Sequence, residues 1–116
     1  MSEVLTKIQT RRSIRSYKSD MIPKEILEKI ITAGTYAEDG SLTMGNLMLA
    51  AHELGVGSCW IHRAREVFEQ PEWQEWLRTL GIEEECVGVG HCALGYVDGE
   101  YPTEPLRREN RVFYVE

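Results

Sequence analysis

The chain has 116 residues and a net charge of −6, with 42% hydrophobic and 28% charged residues. These are ordinary globular values, and the length suits one domain with a modest core. The acidic balance argues against nucleic acid as the main partner, and no apolar run is long enough to cross a bilayer. Because there is no signal-peptide core and the three cysteines lack paired spacing, we expect a cytoplasmic protein with reduced thiols.

The first part of the sequence predicts two helices separated by a basic segment. Residues 3–9 are expected to form a short helix, and "RRSIRSY" (11–17) an extended or turning segment. Pro23 suits the first position of a second helix, and Gly34 suits the position just after its end. The apolar stripe of this helix comprises Ile26, Leu27, Ile30 and Ile31.

The joint between the second and third helices is the most unusual feature of the sequence. In "ITAGTYAEDGSLTMGNLML" (31–49), one helix pattern gives way within six residues to another, over 41–54, that is apolar on nearly every side. Asp39 or Ser41 can cap the third helix, and Gly40 permits a tight turn. A tight turn would fold the two helices back as a hairpin, whereas an extended joint would direct them into a partner subunit.

The second part of the sequence predicts a strand–helix–strand unit. "VGSCWIH" (56–62) and "CVGVGHCALGY" (86–96) have the pattern of buried strands, and Pro71 begins a helix between them. This arrangement favours parallel pairing. Residues 101–105 form a proline-bounded linker, and 111–115 a terminal strand or arm. Because so small a sheet cannot bury the third helix, we expect an oligomer, at least a homodimer, to complete it.

Two basic clusters are the main candidates for an anion site. One surrounds a serine near the N-terminus, and the other lies near the C-terminus. Guanidinium groups and a hydroxyl suit a phosphate or a polyhydroxyl chain. The alternative is that both clusters are surface charge paired with the many glutamates. The clusters comprise Arg11, Arg12, Ser13 and Arg15, and Arg107, Arg108 and Arg111.

The histidines and cysteines do not form a recognisable metal motif. Neither Cys59-x-x-His62 nor His91-Cys92 has the paired ligands of a zinc site, and adjacent strand residues point to opposite faces. Buried free thiols account better for the cysteines. The sequence has no nucleophile elbow, phosphate loop or dinucleotide fingerprint.

Five segments that cover nearly the whole chain carry a resemblance to a known family. They are "RRSIRSY", "IPKEILEKIITAGTYA", "LTMGNLMLAAHELGVGSCWIHRAREVF", "CVGVGHCALGY" and "PLRRENRVFYVE". In their order the chain resembles the short bacterial nitroreductases, which are FMN-dependent flavoproteins. The resemblance implies one α+β domain over residues 1–116, with helices around a reduced sheet that an intertwined homodimer completes. The family's Pro-Ser-x-x-Asn-like loop and a strand–helix–strand block are missing after Gly40, which indicates a large internal deletion.

The resemblance also implies an activity and a set of cofactor-binding residues. NAD(P)H would give a hydride to FMN, which would reduce a nitroaromatic or quinone acceptor. Because the cofactor carries this chemistry, no catalytic side chain is expected. The first basic motif and the C-terminal arginines would hold the phosphate and ribityl chain, and the end of the first strand would line the flavin. The matching residues are Arg11, Arg12, Ser13, Arg15, Ile61, His62, Arg108 and Arg111.

The deletion leaves two alternatives open beside an FMN-dependent nitroreductase. One is a haem-binding protein that uses an apolar cavity in a rearranged dimer, with His52, His62 or His91 as the iron ligand. The other is an oligomeric remnant that binds no cofactor. We favour FMN on family grounds.

Overall fold

Five helices surround a two-stranded sheet in the computed structural model, which describes residues 2–115. This architecture confirms the α+β class expected from the sequence. The predicted single domain, residues 1–116, extends one residue beyond the described range at each end and stays a prediction. None of the helices in the described range is long and apolar enough to span a bilayer. The elements are α1 (Glu3–Thr10), α2 (Lys24–Gly34), α3 (Gly40–Glu53), β1 (Gly57–Ile61), α4 (Ala64–Phe68), α5 (Pro71–Thr79) and β2 (His91–Gly95).

Local capping explains where several helices begin and end. Ser2 precedes α1, and its Oγ accepts a hydrogen bond from the N–H of Leu5 at 3.2 Å, as expected of an N-cap residue. Pro23 occupies the N-cap position of α2 and not the first helical position that the sequence predicted. Pro71 begins α5, as predicted, and Gly81 follows the end of that helix with a φ of 87°.

The helices α2 and α3 pack against each other as a hairpin within one chain. Gly34, expected just beyond α2, is its last residue, and a Cβ there would lie 2.8 Å from Leu47 Cγ. Glycine therefore allows the two helices to approach. Asp39 is the N-cap of α3, and its Oδ1 accepts hydrogen bonds from the N–H groups of Ser41 and Leu42 at 2.8 and 3.4 Å. The joint thus adopts the tight turn and not the extended form.

The two strands pair antiparallel, so the predicted parallel pairing is wrong. Gly57 pairs with Gly95, and Ile61 with His91. The connection between the strands therefore returns to the end of the sheet from which it left. The prediction missed α4 and extended the second strand over residues 86–90, which the structure forms as a loop.

Close backbone contacts explain why the loop before β2 does not join the sheet. Gly88 packs directly on the backbone of Ala64 at the start of α4. A Cβ on Gly90 would lie 2.9 Å from the indole ring of Trp60. The two glycines therefore hold this loop against α4 and β1, and pairing begins only at His91.

The hydrophobic core is small and lies between α2, α3 and the sheet. Its centre consists of Ile30, Ala51 and Val56, which are at most 2% exposed. The apolar α3 finds neighbours on several sides, because it contacts α1, α2, β1 and β2. Ile31 belongs to the predicted stripe of α2 but is 51% exposed, so the prediction was wrong there. Partly buried residues surround the core: Ile22, Ile26, Leu47, Leu54, Leu94 and Tyr96.

Much apolar surface stays uncovered in the single chain. The accessible surface is 9451 Å², whereas a folded monomer of this mass exposes about 6,500 Å². The radius of gyration is 16.7 Å, against about 13 Å for a compact domain of this length. One source is the C-terminal segment 106–115, which is exposed and forms no helix or strand. It therefore matches the predicted arm rather than a strand.

Candidate functional site

A cavity of about 240 Å³ lies between the end of α1 and the start of β1. We refer to it as the α1–β1 cavity. Its walls come from the basic segment after α1, from the C-terminal end of α3 and the first residues of β1, and from the segment after β2. The lining residues are Arg11, Arg12, Ile14, His52, Gly55, Val56, Gly57, Ser58, Val97 and Tyr101.

The basic segment reaches the cavity because it runs beside β1. Ser13 forms a parallel bridge with Ser58, and the Ile14 N–H donates to the Ser58 carbonyl at 2.9 Å. The Ile14 side chain is 2% exposed and anchors the segment. A Cβ on Gly57 would lie 2.9 Å from Ile14 Cγ1, so glycine permits this close approach. The first arginines of the segment are thereby fixed at the cavity wall.

Three buried polar atoms around the cavity have no hydrogen-bond partner. They are Arg11 Nη1, Arg12 Nε and Ser58 Oγ. A buried polar group left without a partner costs about 1–3 kcal/mol. Guanidinium nitrogens only donate, and a hydroxyl can donate, so all three atoms match a neighbour that carries acceptor oxygens. The cavity lining therefore suits an oxyanion such as a phosphate better than a cation.

The two arginines of the cavity differ in how far their guanidinium groups are already engaged. Arg12 Nη1 donates to the carbonyls of Gln9 and Arg11, each at 2.8 Å, and so caps the end of α1. Arg12 Nη2 also lies 4.0 Å from Glu104 Oε2. Arg11 makes no side-chain hydrogen bond or ion pair within residues 2–115, so it is the freer ligand for an anion.

Tyr101 and His52 form the opposite wall. Tyr101 Oη accepts a hydrogen bond from the Arg12 N–H at 3.0 Å and donates to the Thr10 carbonyl at 2.8 Å. Its ring is stacked on His52, with centroids 6.2 Å apart and an interplanar angle of 22°. This places an aromatic surface from the end of the chain beside Arg11.

The hydrogen bonds of His52 determine its tautomer. Its Nε2 lies 2.9 Å from Thr10 Oγ1, and that hydroxyl donates to the Thr6 carbonyl at 2.7 Å. Because the hydroxyl proton of Thr10 is used in that bond, His52 must donate its Nε2–H to Thr10 Oγ1. Burial lowers the pKa of His52, and the positive charges of Lys7 and Arg11 act in the same direction. The imidazole is thus neutral at pH 7, and the positive charge of the cavity comes from its arginines.

Comparison with known proteins identifies the family. The model of the nitroreductase family matches residues 8–41 and 37–96. The chain belongs to the nitroreductase family. The two matched segments meet at residues 37–41, which is the joint between α2 and α3. No curated protein matches the chain in sequence.

Solved nitroreductases share the fold at low sequence identity. A nitroreductase with bound FMN from Bacteroides fragilis is 23% identical, with a TM-score of 0.85 over 100% of both chains. A nitroreductase with bound FMN from Desulfitobacterium hafniense is 17% identical, with a TM-score of 0.80 over 100% of both chains. A putative nitroreductase in complex with FMN from Desulfovibrio desulfuricans is 19% identical, with a TM-score of 0.67 over 91% of this chain and 94% of the other. The nitroreductase fold predicted from the sequence is confirmed.

The side chains of the basic motif are divided between two depressions of the surface. Arg11 and Arg12 line the α1–β1 cavity, whereas Ser13 and Arg15 line a separate shallow groove. That groove also contains the carboxylates of Asp98 and Glu100, among other residues. Arg11 and Arg12 are therefore the members of the motif that line the same cavity as the unpartnered Ser58, although Ser13 pairs with Ser58 through the backbone.

The C-terminal arginines lie apart from the cavity. Arg107 Nη2 is 3.5 Å from Glu104 Oε1, and the same carboxylate group lies near Arg12. Arg108 and Arg111 are exposed and make no ion pair within the described range 2–115. Their predicted contact with the phosphate stays a prediction.

The residues predicted to lie along the flavin occupy the far end of β1. Ile61 is 44% exposed, and His62 follows it and packs against Trp60, with ring centroids 5.7 Å apart. At about 3.3 Å per residue, His62 lies about 13 Å along the strand from Ser58. A ligand would therefore need a charged end and an aromatic end separated by this distance to contact both.

The haem alternative finds no support in the structure. It depended on an extended joint that would open a cavity between subunits, but α2 and α3 form a hairpin. His52 is held by Thr10 and Tyr101, and His91 packs against Phe68 with centroids 5.9 Å apart. Within residues 2–115, no group of three or more metal-ligating side chains is present.

Three residues of the site were missed or misjudged from the sequence. Ser58 was read as part of a buried strand, and Tyr101 as part of a linker. His52 was considered only as an iron ligand. Tyr101 meets Arg12 across 89 residues, and no local pattern reports such a contact. Ser58 is 2% exposed but polar, and a polar residue within a buried strand was the available signal.

The cysteines are free thiols, as predicted, and lie away from the cavity lining. Cys59 is buried, and Cys86 and Cys92 are half-buried. Burial raises the pKa of Cys92, and the neighbouring Cys59 adds to the rise. Cys92 therefore remains a neutral thiol at pH 7 and has little nucleophilic character.

Proposed function

We propose that the protein binds FMN and acts as a nitroreductase-type oxidoreductase. The observation that carries the proposal is the set of three unpartnered polar atoms around the α1–β1 cavity, in a chain of the nitroreductase family. The phosphate of FMN supplies the acceptor oxygens that Arg11, Arg12 and Ser58 lack. The FMN-containing relatives with the same fold support this choice of ligand.

The two ends of β1 suit the two ends of this cofactor. The phosphate end belongs in the cavity at Ser58, and the flavin belongs near Ile61 and His62. When bound, FMN would supply the redox chemistry, the relay of a hydride from NAD(P)H to a nitroaromatic or quinone acceptor, which takes one further proton from solvent.

The protein's own residues bind and orient the cofactor rather than perform chemistry. Arg11 and Ser58 donate hydrogen bonds, while Arg12 adds positive charge from its fixed position at the end of α1. The buried Ile14 and Val56 exclude water from the inner wall. Because the cofactor would carry the chemistry, the cavity needs no catalytic acid–base pair.

We further propose that the working form is a homodimer or higher oligomer. The single chain exposes about 3,000 Å² more surface than a monomer of its mass. Two chains that covered this excess would bury about 6,000 Å² together, which is the size of a large obligate interface. The exposed apolar residues include Val4, Leu5 and Ile8 on α1, and Leu106 and Phe113 in the C-terminal segment. A partner chain would cover these surfaces and contact the arm that carries Arg108 and Arg111.

An internal deletion remains our explanation for the short joint. The support is that the family model matches in two pieces that meet at residues 37–41. In the structure this joint is closed by the Asp39 cap and by the contact of Gly34 with Leu47. The missing block would have carried further flavin contacts, so FMN is expected to bind more weakly than in a longer relative.

Cofactor titration tests the proposed function. FMN, and separately haem, would be added to cofactor-free protein while visible absorption and flavin fluorescence are recorded. We expect saturable, stoichiometric FMN binding and FMN-dependent oxidation of NAD(P)H when a quinone is present. Absence of FMN binding would refute the proposal, and a stoichiometric haem complex lost on substitution of one histidine would replace it.

A further inference from the structure

Tyr101 joins the end of the chain to the basic motif on both sides of Arg11. Its hydroxyl donates to the carbonyl of Thr10 and accepts from the N–H of Arg12, the residues that flank Arg11. Both groups lie at the end of α1, where backbone carbonyls have no partner within the helix. One phenol therefore fixes the backbone immediately before and immediately after the freest arginine of the cavity.

The segment that carries Tyr101 is itself attached to the basic motif. The N–H of Lys18 donates to the Tyr96 carbonyl at 2.8 Å, and the N–H of Asp98 donates to the Ser16 carbonyl at 3.0 Å. Gly99 then turns the chain with a φ of 83°, a conformation that glycine adopts without strain. The turn directs the segment back toward α1.

We propose that Tyr101 is a positioning residue for anion binding: its hydroxyl holds Arg11 in place, and its ring covers His52. The inference rests on the proposed function, because the anion is taken to be the FMN phosphate. Tyr101 acts through Arg11 and His52 and is not itself required to touch the cofactor. None of the segments that carry the family resemblance includes Tyr101.

The cover over His52 has a consequence for pH dependence. Burial lowers the pKa of His52 most, and Lys7, Arg11 and Arg12 lower it further, while Glu53 raises it. Removal of the Tyr101 ring exposes the imidazole and so raises its pKa. The imidazole would then take up its proton at a higher pH than in wild type, and between the two pKa values the cavity would carry a positive charge that the wild type lacks.

Two substitutions at Tyr101 separate its hydroxyl from its ring. Tyr101→Phe keeps the ring but loses both hydrogen bonds, and we expect about tenfold weaker binding of FMN. Tyr101→Leu also loses the stacking, and we expect its affinity relative to wild type to recover as the pH falls from 8 to 6. The ratio to wild type cancels the titration of the phosphate itself. Tyr36→Phe is the matched control, because Tyr36 is 84% exposed and makes no side-chain hydrogen bond within the described range.

The measurement is FMN affinity by fluorescence quenching at several pH values, with inorganic phosphate as a competing probe. An unchanged affinity in Tyr101→Phe overturns the role of the hydroxyl, and a constant Tyr101→Leu to wild-type ratio overturns the role of the ring. A loss of helix content does not produce the pH-dependent recovery, so a merely structural effect is distinguishable. If Tyr101→Leu fails to fold, Tyr101→Phe alone decides.

Failure of the inference and failure of the proposed function give different results. If wild type binds FMN and Tyr101→Phe binds it equally well, the inference fails and the proposed function stands. If wild type binds inorganic phosphate but not FMN, and Tyr101→Phe weakens phosphate binding, the inference stands and the proposed function fails. If wild type binds neither, both fail.

Discussion

The α2–α3 hairpin and the C-terminal segment 97–115 differ in how much of their apolar surface is covered within one subunit. The hairpin makes its own contacts: Ile30 is fully buried, and Asp39 caps α3. The C-terminal segment attaches through Tyr101, but beyond it Leu106 and Phe113 are 98% and 79% exposed. The contrast indicates that contacts within one subunit stabilise the hairpin, and it supports the proposal that a second chain covers the C-terminal arm.

The largest effect should come from removal of the arm. A chain that ends at Pro105 loses the apolar residues of segment 106–115, and we expect loss of the dimer and exposure of the α1 face to solvent. Sedimentation at micromolar concentration would show a smaller or aggregated species. As a control, Tyr36→Ala removes a similarly exposed aromatic side chain outside the arm and should leave assembly unchanged. A wild-type chain that is itself a stable monomer would refute the proposed dimer.

Truncation of the hairpin core should have the next largest effect. Ile30 is 0% exposed, so Ile30→Ala should destabilise the fold by about 2–5 kcal/mol through lost burial and the cavity left behind. The neighbouring Ile31 is 51% exposed, and Ile31→Ala should cost less than about 1 kcal/mol. Chemical denaturation of both variants at equal concentration gives the comparison. Equal losses would mean that Ile31 becomes buried in the assembled protein.

The sequence predicted those parts of the fold that local patterns determine. The helices α1, α2, α3 and α5 follow from apolar spacing, from Pro23 and Pro71, and from the Asp39 cap. The antiparallel sheet was missed because α4 is a single short turn of helix and because Gly88 and Gly90 were read as strand residues. These glycines serve close packing against Ala64 and Trp60, which depends on the folded structure.

The site was predictable in part. The basic motif directed attention to Arg11 and Arg12, since clustered guanidinium groups in an acidic chain are conspicuous. Strand alternation alone would place Arg11 on the same side as Ser13 and Arg15. The structure groups Arg11 with Arg12 in the cavity instead, which strand geometry could not have indicated. The role of Tyr101 could not have been predicted either. Its partners lie 89 and 91 residues away and are backbone groups that carry no sequence signature.

A smaller effect is expected at the α1–β1 cavity, which residues of both α3 and the C-terminal segment line. Arg11 lies in the cavity that Tyr101 closes, and Arg11→Ala should weaken FMN binding about 10- to 100-fold, the usual range for a lost hydrogen bond to a charged group. Arg65→Ala is the matched control, because Arg65 is exposed and pairs with Glu69 on the surface. Fluorescence titration measures both. A similar loss in the two variants would mean that net charge, and not the cavity, governs binding.

The smallest expected effect tests whether the joint between α2 and α3 is stabilised by contacts within one subunit. Asp39 Oδ1 accepts hydrogen bonds from the N–H groups of Ser41 and Leu42, so Asp39→Ala leaves both donors without this acceptor and should destabilise the fold by about 1 kcal/mol. Ser41 lies within α3 and its side chain makes no hydrogen bond in the described range, so Ser41→Ala should change stability by less than about 0.5 kcal/mol. Denaturant midpoints of the two variants, compared at unchanged slope, measure the difference. If the joint is a local turn within one subunit, the Asp39→Ala loss is independent of protein concentration. A loss that grows on dilution would show instead that the joint contributes to the contact between subunits, and the contrast between the hairpin and the arm would then no longer hold.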